Sequence, residues 1–441
     1  MPFTLYTSNR LEILSQQLAT VLRQPVGGAL EPEVVVVQSR GMERWISLEL
    51  ARQLGISANV LFPFPNAFVQ DIARRILGET AAPGSSAGGG KPDTEVDPAI
   101  FEPRILTWRI VKMLPDLLSR PAFVQLRTYL QEPGRDLKRL QLANRIADLF
   151  DQYLLYRPEM IFAWERGKED HWQAQLWREI ARGAETLHRA ALGKRLVDAL
   201  KTATRPDLPR RINVFGISSL PEFHLAVFDA LARHVQVNFF LMNPCQEYWG
   251  DILSKKEKRR AARGQLSMDF SESYLQEGNP LLSSLAELGR DFFELLEGFD
   301  YQQATAFHEP EETSLLGCVQ ADILHLRNRA KDGQPKQEIP ADDRSIQIHA
   351  CHSARREIEV LYDHLLHLFQ TRGDIKPGDI LVMMPDVEPY VPFIQAVFDL
   401  PPDDPRRIPY SIADRSYGRE NELIETFFAI LNLPNSRFIP A

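Results

Sequence analysis

The chain has 441 residues, 44% of them hydrophobic and 25% charged, and a net charge of −8. That length predicts two or three domains rather than one core, and neither a bilayer-spanning apolar run nor a signal-peptide pattern is present. The acidic balance excludes a protein that coats nucleic acid through bulk charge, so any DNA or RNA contact must use a local basic groove.

Phe3–Tyr6 reads as a strand, Thr7-Ser8-Asn9-Arg10 as a short polar turn, and Leu11, Leu14, Leu18 and Val21/Leu22 recur at helical spacing. Strand, turn and helix in that order are where nucleotide-driven motors keep their phosphate loop. Such a loop needs glycines so that backbone N–H groups can wrap phosphate, then a lysine and a Ser/Thr. This turn has neither glycine nor lysine. Val34–Val37, bounded by Pro32 and by Gln38-Ser39-Arg40-Gly41, predicts a parallel strand buried on both faces. A helix follows from about Met42 to Leu54 and stops at Gly55. Residues 1–78 thus read as the first part of an α/β sheet domain. Within it, Phe62, Phe64 and Phe68 lie on a stretch read as a proline-stiffened loop; base stacking and core packing are the competing readings.

Residues 79–98 have the composition of a flexible linker, and Gly88-Gly89-Gly90-Lys91 within it lacks a preceding strand and a following Ser/Thr. Residues 99–205 carry helical texture, with Trp108, Trp164, Trp172 and Trp177, and read as a helical subdomain inserted into the sheet domain. There Asp148, Asp151 and Gln152 fall on one helix face, with Arg157 beyond; the alternatives are a polar stripe with local ion pairs and a base-contacting surface. Strand texture returns at 212–223 and 234–244 with a helix between, so residues 206–335 read as the remainder of the first domain, with a polar loop near 250–278. A second α/β unit over 344–441 is predicted from strands at 345–353 and 379–385 around a helix at 356–369. The chain then stops in mid-pattern, as an N-terminal piece of something longer would.

Several chemistries lack their residues. Cys245, Cys318 and Cys351 are far apart, which fits a reducing cytoplasm and excludes a cysteine-based zinc site. His364 and His367 sit three apart without HExxH, and His349 and His352 flank Cys351, so no metal site is expected. GxSxG is absent, and so is a carboxylate–lysine nuclease set in strand context. A motor would also end the strand near Phe215 in an acidic pair, where Gly216-Ile217-Ser218-Ser219 stands, and would place an arginine where DILVMMP ends in Met384-Pro385. With the turn at Thr7, three stations of ATP chemistry are missing in matching places, and no catalytic residue or cofactor is expected.

The segments YTSNRLEIL, VVVVQSRGMERW, GISANVLFPFP, ADLFDQYLLYRP, FGISSLP, NPCQEYWGDI, CHSARREIEVLYDHLL, VPFIQAVF and LPNSRF, in that order, resemble the RecC family. These are the gamma subunits of exodeoxyribonuclease V, the RecBCD helicase–nuclease. The resemblance runs from residue 3 to 441, with gaps at the 79–98 linker and the 250–278 loop. It implies a superfamily 1 helicase-like fold whose ATP site has decayed, making Thr7, Ser8, Asn9 and Arg10 the remnant of a phosphate loop. It also implies RecB and RecD as partners, and passage of the 3′-terminated strand through a tunnel where it is scanned for the Chi sequence. The scanning surface carries over to Gln38, Arg40, Arg44, Phe64, Gln70, Asp148, Leu149, Asp151, Gln152, Arg157 and Arg189. Of these, Arg40, Arg44, Phe64 and Gln70 depart from the Chi-reading pattern, so a different hotspot sequence, or none, is expected. Separately, Gln265–Phe270 (QLSMDF) resembles a sliding-clamp-docking peptide.

Overall fold

In the computed structural model the chain runs β1 (Phe3–Ser8), α1 (Leu11–Leu22), β2 (Glu33–Val36), α2 (Arg40–Leu54), β3 (Val60–Leu61) and α3 (Pro65–Leu77). Helices alone follow: α4 (Pro103–Leu117), α5 (Val124–Leu130), α6 (Arg135–Tyr156), α7 (Pro158–Glu165), α8 (Trp172–Ala181) and α9 (Arg189–Thr202). Strands resume with β4 (Arg211–Phe215), α10 (Glu222–Ala232), β5 (Gln236–Met242), α11 (Pro280–Leu285), α12 (Glu287–Glu297), β6 (Tyr301–Thr305) and α13 (Leu315–Leu324). The structure describes all residues except 1–2, 29, 79–97, 132–134, 204–207, 253–277, 330–332, 334–335, 414–421 and 434–441. The 79–98 linker, apart from its last residue, most of the 250–278 loop, and Gln265–Phe270 therefore lie outside the described residues.

The six strands form one parallel sheet in the order β3-β2-β4-β5-β1-β6. Because successive strand side chains point to opposite faces, the valine run of β2 must be covered twice. Val34 and Val36 join Phe3, Leu5, Ile212, Val214 and Phe239 in a core closed by Phe68 and Ile72 of α3, Leu196 and Leu200 of α9, and Leu225 and Phe228 of α10. Val35 and Val37 join a second core with Leu14 and Leu18 of α1 and Ile46 and Leu50 of α2. Two buried asparagines in the middle of the sheet are paired: Asn238 donates to Asn213 at 2.9 Å, and Asn213 to the Val34 carbonyl at 3.2 Å.

The helices between α3 and β4 have a core of their own, in which Trp164, Trp177, Phe123 and Phe150 are fully buried. Two tryptophans with buried N–H groups need acceptors. Trp177 Nε1 donates to Glu165 at 3.0 Å and Trp164 Nε1 to Glu169 at 2.9 Å. Seams with the sheet layer are tight: a Cβ on Gly193 of α9 would lie 1.8 Å from Phe223 Cε2 of α10.

Two local readings are corrected by this sheet domain, and two of its strands went unread. Thr7 and Ser8 belong to β1, where they continue the ladder opposite Leu241 and Met242, so the turn is only Asn9 and Arg10. The FPFPNAF stretch is not a loop throughout, because Pro65 opens α3, a position where its fixed φ and missing N–H cost nothing. Phe68 is accordingly core, stacked on Phe228 with centroids 5.6 Å apart. Finally, β3 and β6 went unread, the first being two residues long and the second a polar edge strand, YQQAT.

Contacts divide the chain after Ala341 into two compact units. The second holds α14 (Ala354–Thr371), α15 (Val391–Phe398) and α16 (Glu422–Asn432), with Ile358, Leu365, Ile394, Phe398 and Ile408 as its core. The strands expected at 345–353 and 379–385 are not formed. A strand exists through its ladder, and these segments find no ladder partner among the described residues; Ile348, Leu381 and Met383 are exposed. No described helix is long and apolar enough to cross a membrane.

Candidate nucleic-acid interface

Ligands of open α/β sheets bind outside the carboxyl ends of the strands, where the segments after β1, β2 and β4 lie. The β1–α1 turn is closed on the chain itself. Asn9 Nδ2 donates to the His308 carbonyl and Asn9 Oδ1 accepts from His308 N–H, each at 2.8 Å. Arg10 N–H is taken by Ser8 Oγ at 3.1 Å. At the end of β4, Gly216 adopts φ +64° and lies beneath Met42, whose Cε would be 2.9 Å from an added Cβ. A left-handed glycine beneath a thioether thus follows the end of β4. Gly216→Ala is expected to destabilise the chain by about 1–2 kcal/mol through the left-handed backbone, read as a lowered urea midpoint.

Past β2, Ser39 caps α2 by accepting from Met42 N–H at 3.1 Å, which sets the direction of Arg40. The Arg40 guanidinium lies 5.3 Å from the Phe64 ring centroid and pairs with Glu43 at 2.6 Å. Both contacts are at the surface, where they are worth little. Arg40, Glu43, Arg44, Ser47, Leu48 and Phe62 line an open hollow of about 380 Å³. Gln38 and Gln70 are exposed, the latter on α3.

A second group lies on α6 and α9. Asp148, Asp151 and Gln152 follow one face of α6, and Arg189, the first residue of α9, reaches Asp151 Oδ1 with Nη1 at 3.1 Å. That buried oxygen has no hydrogen-bond partner among the described residues. Burial pushes the Asp151 carboxyl above the usual range, Arg189 opposes this, and Asp148 adds to it. Asn144 donates to Asp148 at 3.4 Å. Leu149 is half-buried beside them, while Gln152 and Arg157, the N-cap of α7, are exposed.

The family model described as RecC, N-terminal domain, matches residues 3–326. The chain belongs to the RecC family. The Escherichia coli K12 protein named RecBCD enzyme subunit RecC is 37% identical over 98% of this chain and 41% of its own length. The protein of that name from Haemophilus influenzae Rd is 33% identical over 99% of this chain and 43% of its own. That from Mycolicibacterium smegmatis is 29% identical over 99% and 39%. The chain therefore spans about two fifths of the length of the curated relatives it matches.

In this RecC-family chain the expected site residues form two groups, Gln38, Arg40, Arg44, Phe64 and Gln70 around α2 and α3, and Asp148, Leu149, Asp151, Gln152, Arg157 and Arg189 around α6 and α9. Residues that hold these groups in place escaped sequence reading. His188 is the N-cap of α9, its Nδ1 accepting from Ala191 N–H at 3.2 Å. Histidine lies outside the usual capping set, so nothing marked it. Its Nε2 donates to Glu165 at 2.9 Å, joining the cap of α9 to the end of α7. Among the described residues no three His, Cys, Asp or Glu side chains are placed to hold a metal.

Proposed function

We propose that this RecC-family chain is a non-catalytic, helicase-like part of a RecBCD-type helicase–nuclease. In this reading it scaffolds RecB and RecD and carries the 3′-terminated single strand during double-strand-break repair, inspecting it for a Chi-like hotspot. Residues 1–78, 99–205 and 206–335 are a first helicase-like domain with its helical subdomain, and 344–441 the beginning of a second. The observation that supports strand binding is the make-up of the carboxyl edge of the sheet. A stackable ring and two arginines stand there past β2 and β3, while the β1–α1 turn is closed onto the backbone of His308. Stacking on an aromatic face contributes ~1–3 kcal/mol per base, and arginine serves phosphate and guanine edges alike.

Fluorescence anisotropy of the chain against a single-stranded oligonucleotide across a salt series tests the reading. The expected result is a linear fall of log affinity with log salt, at a slope of about −0.7 per phosphate neutralised. Arg157→Ala is expected to shallow that slope by about one such increment. Absence of binding at low salt would overturn strand contact and favour a scaffold that binds only subunits, the reading that the net charge of −8 supports. Because arginines at positions 40 and 44 present only donors where the Chi-reading pattern has a small polar and an amide side chain, the chain is proposed to read a hotspot different from Chi, or none. Pausing of the assembled enzyme at the standard Chi octamer would contradict that.

A further inference from the structure

The two groups of the proposed interface sit on different elements, and one buried side chain stands at their junction. His224, in the first turn of α10, is 3% exposed. Its Nε2 lies 3.0 Å from Oδ1 of Asn66, which is in the first turn of α3, two residues beyond Phe64. An amide oxygen only accepts, so Nε2 carries the proton and Nδ1 is bare. That Nδ1 is buried with no hydrogen-bond partner among the described residues. Its neighbour Phe223 fills the space over Gly193 of α9, the helix that begins with Arg189. Burial first, and the Arg189 charge second, push the His224 imidazole down to about 4, so it is neutral at physiological pH.

An orphaned buried acceptor weakens a fold, and an apolar residue at 224 would remove that cost while filling the core. A side chain that breaks this local rule points to a role besides packing. We propose that His224 is a positioning residue for strand binding: its bond to Asn66 fixes the first turn of α3, and hence Phe64, relative to α9 and Arg189. The inference rests on the strand-binding reading above. On it, the aromatic platform and the Arg189–Asp151 pair hold one spacing along the strand because α10 ties both helices to itself.

Two substitutions separate the bond from the mere presence of a polar group. Glutamine places an amide nitrogen near the imidazole Nε2 and keeps a donor for Asn66, whereas asparagine places its amide near Nδ1 and loses it. The test compares wild type, His224→Gln, His224→Asn and Asn66→Ala. It reads hydrogen exchange of the α3 first-turn amides without DNA, and single-strand affinity by anisotropy. His224→Asn and Asn66→Ala are expected to speed exchange at the start of α3 and to weaken binding at least threefold, with His224→Gln close to wild type in both. Unchanged exchange in His224→Asn would overturn the link whatever the DNA result. Equal loss of affinity in the glutamine and asparagine variants would overturn the positioning role in favour of packing alone. Faster exchange in a protein whose wild type binds no strand would overturn the strand-binding reading itself, and with it the role assigned to His224, leaving a purely structural bond.

Discussion

Glu165→Ala is expected to lower the stability of the chain by about 4 kcal/mol, the sum of two orphaned donors at the middle of the usual range. One carboxylate oxygen, Oε1, accepts from Trp177 Nε1 at 3.0 Å and from His188 Nε2 at 2.9 Å. Both partners are fully buried, so each loses its protein acceptor when Glu165 is truncated. The loss extends beyond the core of the helical segment. His188 caps α9, and its imidazole is held edge-on to Trp177 with centroids 5.5 Å apart. Freed from Glu165, the ring can turn away from Ala191 N–H, adding a cap loss of about 1 kcal/mol at the residue before Arg189. Urea unfolding of wild type, Glu165→Ala and Glu165→Gln measures this. Glutamine keeps an oxygen acceptor and should recover more than half of the deficit. An alanine variant within about 0.5 kcal/mol of wild type, the range of ordinary surface changes, would show that the two donors are not dependent on Glu165.

Arg189→Ala is expected to weaken single-strand binding and to destabilise the chain in a pH-dependent way. Asp151 is 22% exposed and Arg189 34%, so the loss should fall below the 3–5 kcal/mol of a fully buried pair, at about 1–2 kcal/mol near pH 7. The direction of the pH effect follows from the carboxyl. Burial already raises the Asp151 pKa above its unfolded value, and Arg189 limits the rise. Removing the arginine raises it further, so the folded variant holds that proton more tightly than the unfolded chain does. The stability from the protonated form is fully present below the unfolded value of about 3.9 and is lost as pH rises through the folded one. The deficit relative to wild type should therefore be small near pH 4 and grow toward pH 7. Thermal melts across that range provide the check, and Asp151→Asn in the Arg189→Ala background should flatten the dependence. A deficit of constant size at every pH would mean that Arg189 acts through packing and not through its charge on Asp151.

Legibility in the sequence followed the range of the interactions involved. The valine run of β2 and the stop at Gly55 were readable because local patterning and a left-handed C-terminal glycine act within a few residues. Asp148, Asp151 and Gln152 could be put on one face for the same reason, since helical spacing alone decides it. Reading stopped at contacts made through space. Phe64 and Phe68 are four residues apart in one aromatic stretch, yet one meets Arg40 at the surface and the other stacks on Phe228 in the core. The apolar runs near 348 and 381 have strand composition but no ladder, because pairing needs a neighbour as well as a propensity.

By itself, the sequence determined a parallel α/β sheet with helices on its faces, the missing glycine and lysine at Thr7–Arg10, and resemblance to one family along nearly its whole length. Only the tertiary structure decided that Asn9 is taken up by His308, that Arg189 leans on Asp151, and that His224 reaches Asn66 across 158 residues of chain. Hydrogen bonds and ion pairs depend on distances of about 3 Å, and helix and sheet packing sets those distances between residues that no local pattern connects.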